Sequence, residues 1–199
     1  MQEPESQESV VLVDEKDQAL GLAEKLYAHE QALLHRAFSV FLFRTNPKTG
    51  DLELLLQKRS AQKYHCGGLW TNTCCSHPRQ GEGIHEAAIR RVQEELNLRL
   101  EAKNLEAMGF FVYQAELANH LFEHELDHVL VGKLESEQVL SAPNPLEIES
   151  LKWMHWEDLK MDLIKAPNRY TPWLGLAMEH LEKVWQKMPQ KKGELIQCG

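Results

Sequence analysis

Hydrophobic positions in this chain follow two rhythms, and each predicts a kind of element. Short apolar runs read as strands: Val10, Val11, Leu12 and Val13, ending at Asp14; AFSVFLF within 33–43; and LELLL at 52–56. The segment TNPKTGD between the last two carries Pro and Gly, so these runs form a predicted hairpin closed by a loop. DEKDQALG, after the first run, reads as a turn. Between 81 and 98 apolar residues recur at four-residue spacing (Ile84, Ala88, Val92, Leu96), with Arg90, Arg91, Glu94 and Glu95 beside them, which predicts an amphipathic helix with one charged edge. Strand-like runs return at 109–115, 126–134 and 151–156. A second helical stripe, Trp173, Leu174, Ala177, Met178, Leu181, Val184 and Trp185, follows them. The mixture lacks the regular alternation of a parallel α/β fold, so the expected class is mixed α+β. No repeat, low-complexity tract or linker interrupts it, and residues 1–199 read as one domain whose polar opening, 1–8, is frayed.

Composition narrows the partners. With 199 residues, 43% of them hydrophobic and 26% charged, the chain is long enough for one sizeable core. Its net charge of -8 argues against a nucleic-acid or anionic-membrane partner, since either needs a basic face. An anionic substrate therefore requires a local basic pocket. No apolar stretch is long enough to span a bilayer, and the opening MQEPESQES is too polar and acidic for a signal peptide, so the expected location is the cytoplasm. Four cysteines, with Cys74 and Cys75 adjacent, do not form a spaced disulfide framework, and reduced thiols are expected.

The candidate chemistry lies in a few segments. GLWTNTCCSHP, 68–78, gathers small residues, two thiols and His77 in what reads as a loop leading to the charged helix. Either thiol alone also reads as a small buried hydrophobe. In Glu123-His124-Glu125 an extended backbone puts both carboxylates on one face, where they require a cation or a shared proton. With His29, His35 and His77 they make a His₃Glu₂ set suited to Zn²⁺, Mn²⁺ or Fe²⁺; the alternative is a solvated acidic edge with scattered histidines. Lys25, Arg59 and Lys63 flank these segments and offer phosphate-binding charge, although each singly is an ordinary surface cation. Glu82, Arg90, Glu94 and Glu95 partly match the helix pattern of Nudix diphosphate hydrolases. Ser76, Arg91 and Asn97 depart from it, and Arg91 matters most, because it puts a cation where a metal-binding carboxylate belongs.

LLHRAFSVFLF, LLLQKRS, LWTNTCCSHP, EAAIRRVQEEL and EHELDHVL occur in this order, and together they resemble the type I isopentenyl-diphosphate isomerase family over roughly 25–173. The resemblance implies a Nudix-like mixed sheet flanked by helices, and an enzyme that interconverts isopentenyl and dimethylallyl diphosphate. It assigns the catalytic thiol to Cys75, the catalytic glutamate to Glu125 and its partner to Tyr113, and it sets Trp173 against the isoprene unit. His29, His35, His77, Glu123 and Glu125 are the implied ligands of one tightly held divalent metal, Zn²⁺ or Mn²⁺. Mg²⁺ arriving with the diphosphate is implied at Glu95 and the Cys75 carbonyl, with Lys25, Arg59, Lys63 and Arg91 on phosphate oxygens. The expected partner is a small isoprenyl diphosphate, and the expected state a monomer or weak dimer.

The implied chemistry needs an acid and a base across an alkene, roles that Glu125 with Tyr113 and Cys75 suit. It also needs exclusion of water, for which 1–14 and the C-terminal helix are candidate covers. The competing readings are a Nudix-type hydrolase, against which Arg91 argues, and a zinc-binding interaction module built on Cys66, Cys74, Cys75, His65 and His77, which lacks paired CxxC spacing.

Overall fold

A computed structural model describes residues 8–135 and 140–196; apart from Glu8, the opening expected to be frayed lies outside the described residues, as does Cys198. Nine strands are seen among the described residues: β1 (Ser9–Val13), β2 (Ala19–Glu24), β3 (His35–Thr45), β4 (Leu52–Arg59), β5 (Trp70–Thr71), β6 (Cys74–Ser76), β7 (Leu105–Glu116), β8 (Phe122–Lys133) and β9 (Ile148–His155). Helices α1 (Lys25–Glu30), α2 (Ile84–Leu96), α3 (Trp156–Lys165), α4 (Pro172–Lys187) and α5 (Pro189–Ile196) flank them.

The centre of the sheet is β3, which runs parallel to β8 from His35↔Glu125 to Phe43↔Lys133. It is antiparallel to β6 through Ser39↔Cys75 and to β4 through Phe43↔Leu54. Further out, β7 is antiparallel to β8 and β9 to β4. The sheet is therefore mixed. Residues 37–43 are buried throughout because both faces of β3 are covered, which is why the run is apolar without alternation. Phe41 and Phe43 pack with Trp156, Leu174 and Leu181 on one side, while Phe38, Val40 and Leu42 meet Ala88, Val92 and Leu96 of α2 on the other. Burying each such Phe or Leu contributes roughly 1.5–3 kcal/mol. Helix α2 stops at Asn97, whose φ of 54° puts it in the left-handed cap conformation.

Three local expectations need correction, and α1 was not anticipated. DEKDQALG turns only through Asp14, whose Oδ1 accepts from the Lys16 and Gln18 amides at 2.9 Å each; the chain then returns as β2 against β1. Since β2 is mostly exposed, it carries no apolar alternation that would announce it. The six residues of α1 are too few to show a period. Trp156 opens α3 rather than ending a strand, with Glu157 and Asp158 in the first turn, where carboxylates favour a helix start. Finally, TNTCCSHP is not simply a loop, because Cys75 lies on β6 inside the sheet. No described helix is long and apolar enough to cross a membrane.

Candidate active site and metal centre

Strand register assembles the site. Alternation along β8 turns Glu123, Glu125 and Asp127 to one face, and all three are buried. The parallel register sets His35 beside Glu125, the antiparallel register sets Tyr113 beside Glu125, and β6 sets Cys75 beside Ser39. Helix α1 contributes His29, which is completely buried.

Each imidazole is oriented by a second partner. His29 donates Nδ1–H to the Lys25 carbonyl at 2.7 Å, which leaves Nε2 3.1 Å from Glu123 Oε2. His35 likewise donates Nδ1–H to the Leu33 carbonyl at 2.8 Å. Its Nε2 is buried without a hydrogen-bond partner and lies 3.6 Å from Glu125 Oε1. His77 Nε2 is 2.9 Å from the same oxygen. One donor atom from each of His29, His35, His77 and Glu125 falls within 4.8 Å of the others.

Burial, and then the charge of Glu125, push the Glu123 carboxyl up; burial pushes the His77 imidazole down to about 3. Convergent imidazole nitrogens and two carboxylates in a buried space are the arrangement a cation balances, and His35 Nε2 is buried there without a hydrogen-bond partner. These residues fit a divalent metal, and their nitrogen and oxygen donors suit a first-row ion.

Next to this centre, the Tyr113 hydroxyl donates to Glu125 Oε2 at 2.6 Å. Burial, then the charge of Glu125, hold the phenol well above its ordinary pKa, so it stays protonated. The Cys75 thiol donates to Asn72 Oδ1 at 2.8 Å, and Trp173 Nε1–H donates to the sulfur at 3.2 Å. Because the Asn72 amide nitrogen donates to the Val40 and Cys74 carbonyls, at 3.1 Å each, its oxygen must face the thiol. Burial and then the charge of Asp127 push the Cys75 thiol up to about 12. Behind it, Ser39 donates to Asp127 at 2.8 Å. Cys74 is fully buried in the core beside α2, as a small hydrophobe.

Cations form the other wall, and most face carboxylates. Lys25 Nζ is 3.0 Å from Glu8, Lys63 Nζ is 2.7 Å from Glu147, and Arg91 Nη2 is 2.7 Å from Glu95 and 3.3 Å from Glu147. Arg59 Nε is buried without a partner, and the guanidinium lies 5.6 Å from the Trp173 ring centre. Glu95 is buried and also accepts from Gln57 Nε2 at 3.2 Å.

One cleft is lined by Cys75, Tyr113, Glu125, Glu123, His77, Glu95 and Trp173, together with Lys25, Arg59, Lys63 and Arg91, while His29 and His35 sit wholly buried within the same donor group. The cleft also holds Gln57, Tyr64 and Glu147, which sequence reasoning passed over, and His65, which it weighed only for a zinc module. Gln57 was detectable as a polar break in the apolar run of β4. Glu147 gave no signal, since only folding brings it to Lys63 and Arg91.

Comparison with known proteins follows the same line. The NUDIX domain family matches residues 33–174. An isopentenyl-diphosphate Delta-isomerase of Photobacterium profundum is 45% identical over 175 residues, which is 88% of this chain and 94% of the relative. Another, from Aromatoleum aromaticum, is 43% identical over 175 residues, 88% of this chain and 93% of the relative. Among solved structures, a Deinococcus radiodurans protein superposes with a TM-score of 0.65 at 20% identity, covering 86% of this chain and 98% of that one. At that identity the match speaks for the fold alone.

Proposed function

This chain belongs to the isopentenyl-diphosphate Delta-isomerase family and carries its chemistry on a NUDIX domain, and from that premise we propose how its cleft works. It interconverts isopentenyl and dimethylallyl diphosphate. The observation that carries the residue assignment is that Cys75 and the Tyr113–Glu125 pair line one cleft with Lys25, Arg59, Lys63 and Arg91.

The reaction adds a proton to one end of an allylic unit and removes one from the other, through a species with tertiary carbocation character. Glu125 and Tyr113 share a short hydrogen bond, so a proton can pass between carboxylate and phenol at that wall. Cys75 is the second proton-handling group, its S–H held by Asn72 and its sulfur by Trp173. The Trp173 ring, already beside the Arg59 guanidinium, is a surface that tolerates positive charge; a desolvated cation–π contact contributes roughly 2 kcal/mol. The cations hold the diphosphate, Arg by a planar fork and Lys by point charge.

His29, His35, His77, Glu123 and Glu125 would hold the tight ion, Zn²⁺ or Mn²⁺, and Glu95 with the Cys75 carbonyl would hold Mg²⁺ accompanying the diphosphate. Once bound, the tight ion supplies the positive charge that keeps neighbouring carboxylates ionised. We further propose that the protein acts in the cytoplasm as a monomer or weak dimer within a single domain, with α4, which brings Trp173 to the cleft, as a cover.

A Nudix-type hydrolysis is disfavoured by the position of Arg91, which occupies a metal-carboxylate place in that helix pattern and here pairs with Glu94, Glu95 and Glu147. The deciding experiment is incubation with isopentenyl diphosphate and Mg²⁺ in D₂O, followed by proton NMR and a phosphate assay. Deuterated dimethylallyl diphosphate without phosphate release, lost in Cys75→Ala, is expected. Phosphate release, or turnover undiminished in Cys75→Ala, would overturn the assignment.

A further inference from the structure

His65 lies outside the set of His29, His35, His77, Glu123 and Glu125, yet its side chain, 9% exposed, turns into the same space. Its Nδ1 is buried without a hydrogen-bond partner, 3.6 Å from Glu123 Oε1. That separation is too long for a hydrogen bond and leaves the nitrogen unsatisfied in a buried site, which is unfavourable. A second donor group, His29, His65 and Glu123, has its ligand atoms within 4.8 Å of one another and shares His29 with the first. The His65 ring stacks on His29 with centroids 5.7 Å apart.

The loop that aims His65 inward is built for the purpose. Cys66 adopts a positive φ of 50°, and the Gly68 amide donates to the Arg59 carbonyl at 3.0 Å, folding the segment back on the end of β4. At Gly67 a Cβ would meet the Ser60 and Ala61 carbonyl oxygens at 3.1 Å each, so the absence of a side chain lets the turn close this tightly.

We propose that His65 ligates the buried divalent metal through Nδ1, giving this chain a fourth histidine and a sixth protein donor beside His29, His35, His77, Glu123 and Glu125. This rests on the reading that the centre binds a metal. Because His29 belongs to both donor groups, an ion held between His29 and Glu123 would have His65 Nδ1 within reach as well.

The test uses the full chain loaded with Co²⁺, in the wild type and in His65→Ala, His65→Gln and His35→Ala, with folding of each checked by circular dichroism. Affinity is read by competition with a chromophoric chelator, and ligation by the visible Co²⁺ absorption and the hyperfine-shifted imidazole proton resonances. Both His65 variants should bind Co²⁺ about 10- to 100-fold more weakly, with an altered spectrum and one imidazole set lost. If His35→Ala weakens binding while the His65 variants keep wild-type affinity, or lose affinity with an unchanged spectrum, His65 is not a ligand and the centre stands. If the wild type does not bind Co²⁺, or His35→Ala binds as the wild type does, the metal centre itself is wrong and His65 falls with it.

Discussion

Tyr113 and Glu125 are direct cross-strand neighbours of β7 and β8, and the phenol donates to the carboxylate at 2.6 Å. The pair is short because both groups are buried and because no rival donor reaches Glu125 Oε2 among the described contacts, whereas Oε1 faces His77 and His35. A backbone ladder thus sets the geometry of the pair, and neither side chain needs to search for the other.

Tyr113→Phe keeps the ring and removes only that donor. A hydrogen bond to a charged group is worth about 1.5–3 kcal/mol, so kcat should fall roughly 10- to 100-fold if the bond serves the transition state. KM should change little, since the phenol is not among the cations proposed to hold the diphosphate. Steady-state formation of dimethylallyl diphosphate measures both. An unchanged kcat would remove Tyr113 from the proton path.

How far the sequence carried the site follows from what kind of signal each part sends. Glu123 and Glu125 were legible because a period of two on an extended backbone is a local property, and α2 because its apolar spacing is local as well. The convergence of His35 on these carboxylates depends on β3 pairing in parallel with β8, and that of His29 on α1 packing against β8, long-range relations that no window along the chain contains. With ten histidines in the chain, residue type alone offered His29 and His35 among several, and the family resemblance singled them out where periodicity was silent. Neither route reached Glu147, an isolated acidic residue before β9, or the way Asn72 is pinned by two carbonyls so that its oxygen meets Cys75. The exposed β2 and the one-and-a-half-turn α1 were missed because neither buries enough to leave a pattern.

Glu147 neutralises Lys63 and Arg91 in the absence of a diphosphate. Glu147→Gln removes the carboxylate that Lys63 and Arg91 share, while Arg91 keeps Glu94 and Glu95, so the free protein should lose about 1–3 kcal/mol of stability. Added inorganic pyrophosphate supplies the missing negative charge and should bind more tightly to the variant. Thermal unfolding with and without pyrophosphate should show the gap between variant and wild type closing as the ligand saturates. A gap that pyrophosphate leaves untouched would mean that Glu147 has only a structural role.

Away from the metal centre, Glu82 accepts from Arg90 Nε and Nη2 at 2.7 and 2.8 Å, and this guanidinium is the main cause of its depressed pKa. A carboxyl whose pKa is lowered by folding contributes its stability above the unfolded pKa and loses it as pH falls through the folded value. The destabilisation of Glu82→Gln, measured by urea unfolding, should therefore be largest near neutral pH and shrink towards zero on acidification. A difference that stays constant across that range would show that the bridge is not the source of the effect.

Metal removal gives the broadest test of the centre. Without an ion, Glu123 and Glu125 lie two positions apart on one strand face, both buried, with His35 Nε2 buried 3.6 Å from Glu125 Oε1 and without a hydrogen-bond partner. An ion that binds only the folded chain stabilises it by RT ln(1 + [L]/Kd), about 2.7 kcal/mol at a hundredfold excess over Kd. Chelator-treated protein should therefore unfold at a lower temperature, and Zn²⁺ or Mn²⁺ should restore it saturably. Glu123→Gln separates charge from volume: it removes one of two repelling carboxylates, so the metal-free variant should be at least as stable as the metal-free wild type, while the gain on adding metal should be smaller. Calorimetry on the four samples tests both halves. A metal-free variant that is less stable, with its response to the ion unchanged, would mean that Glu123 serves the fold through His29 and not the metal.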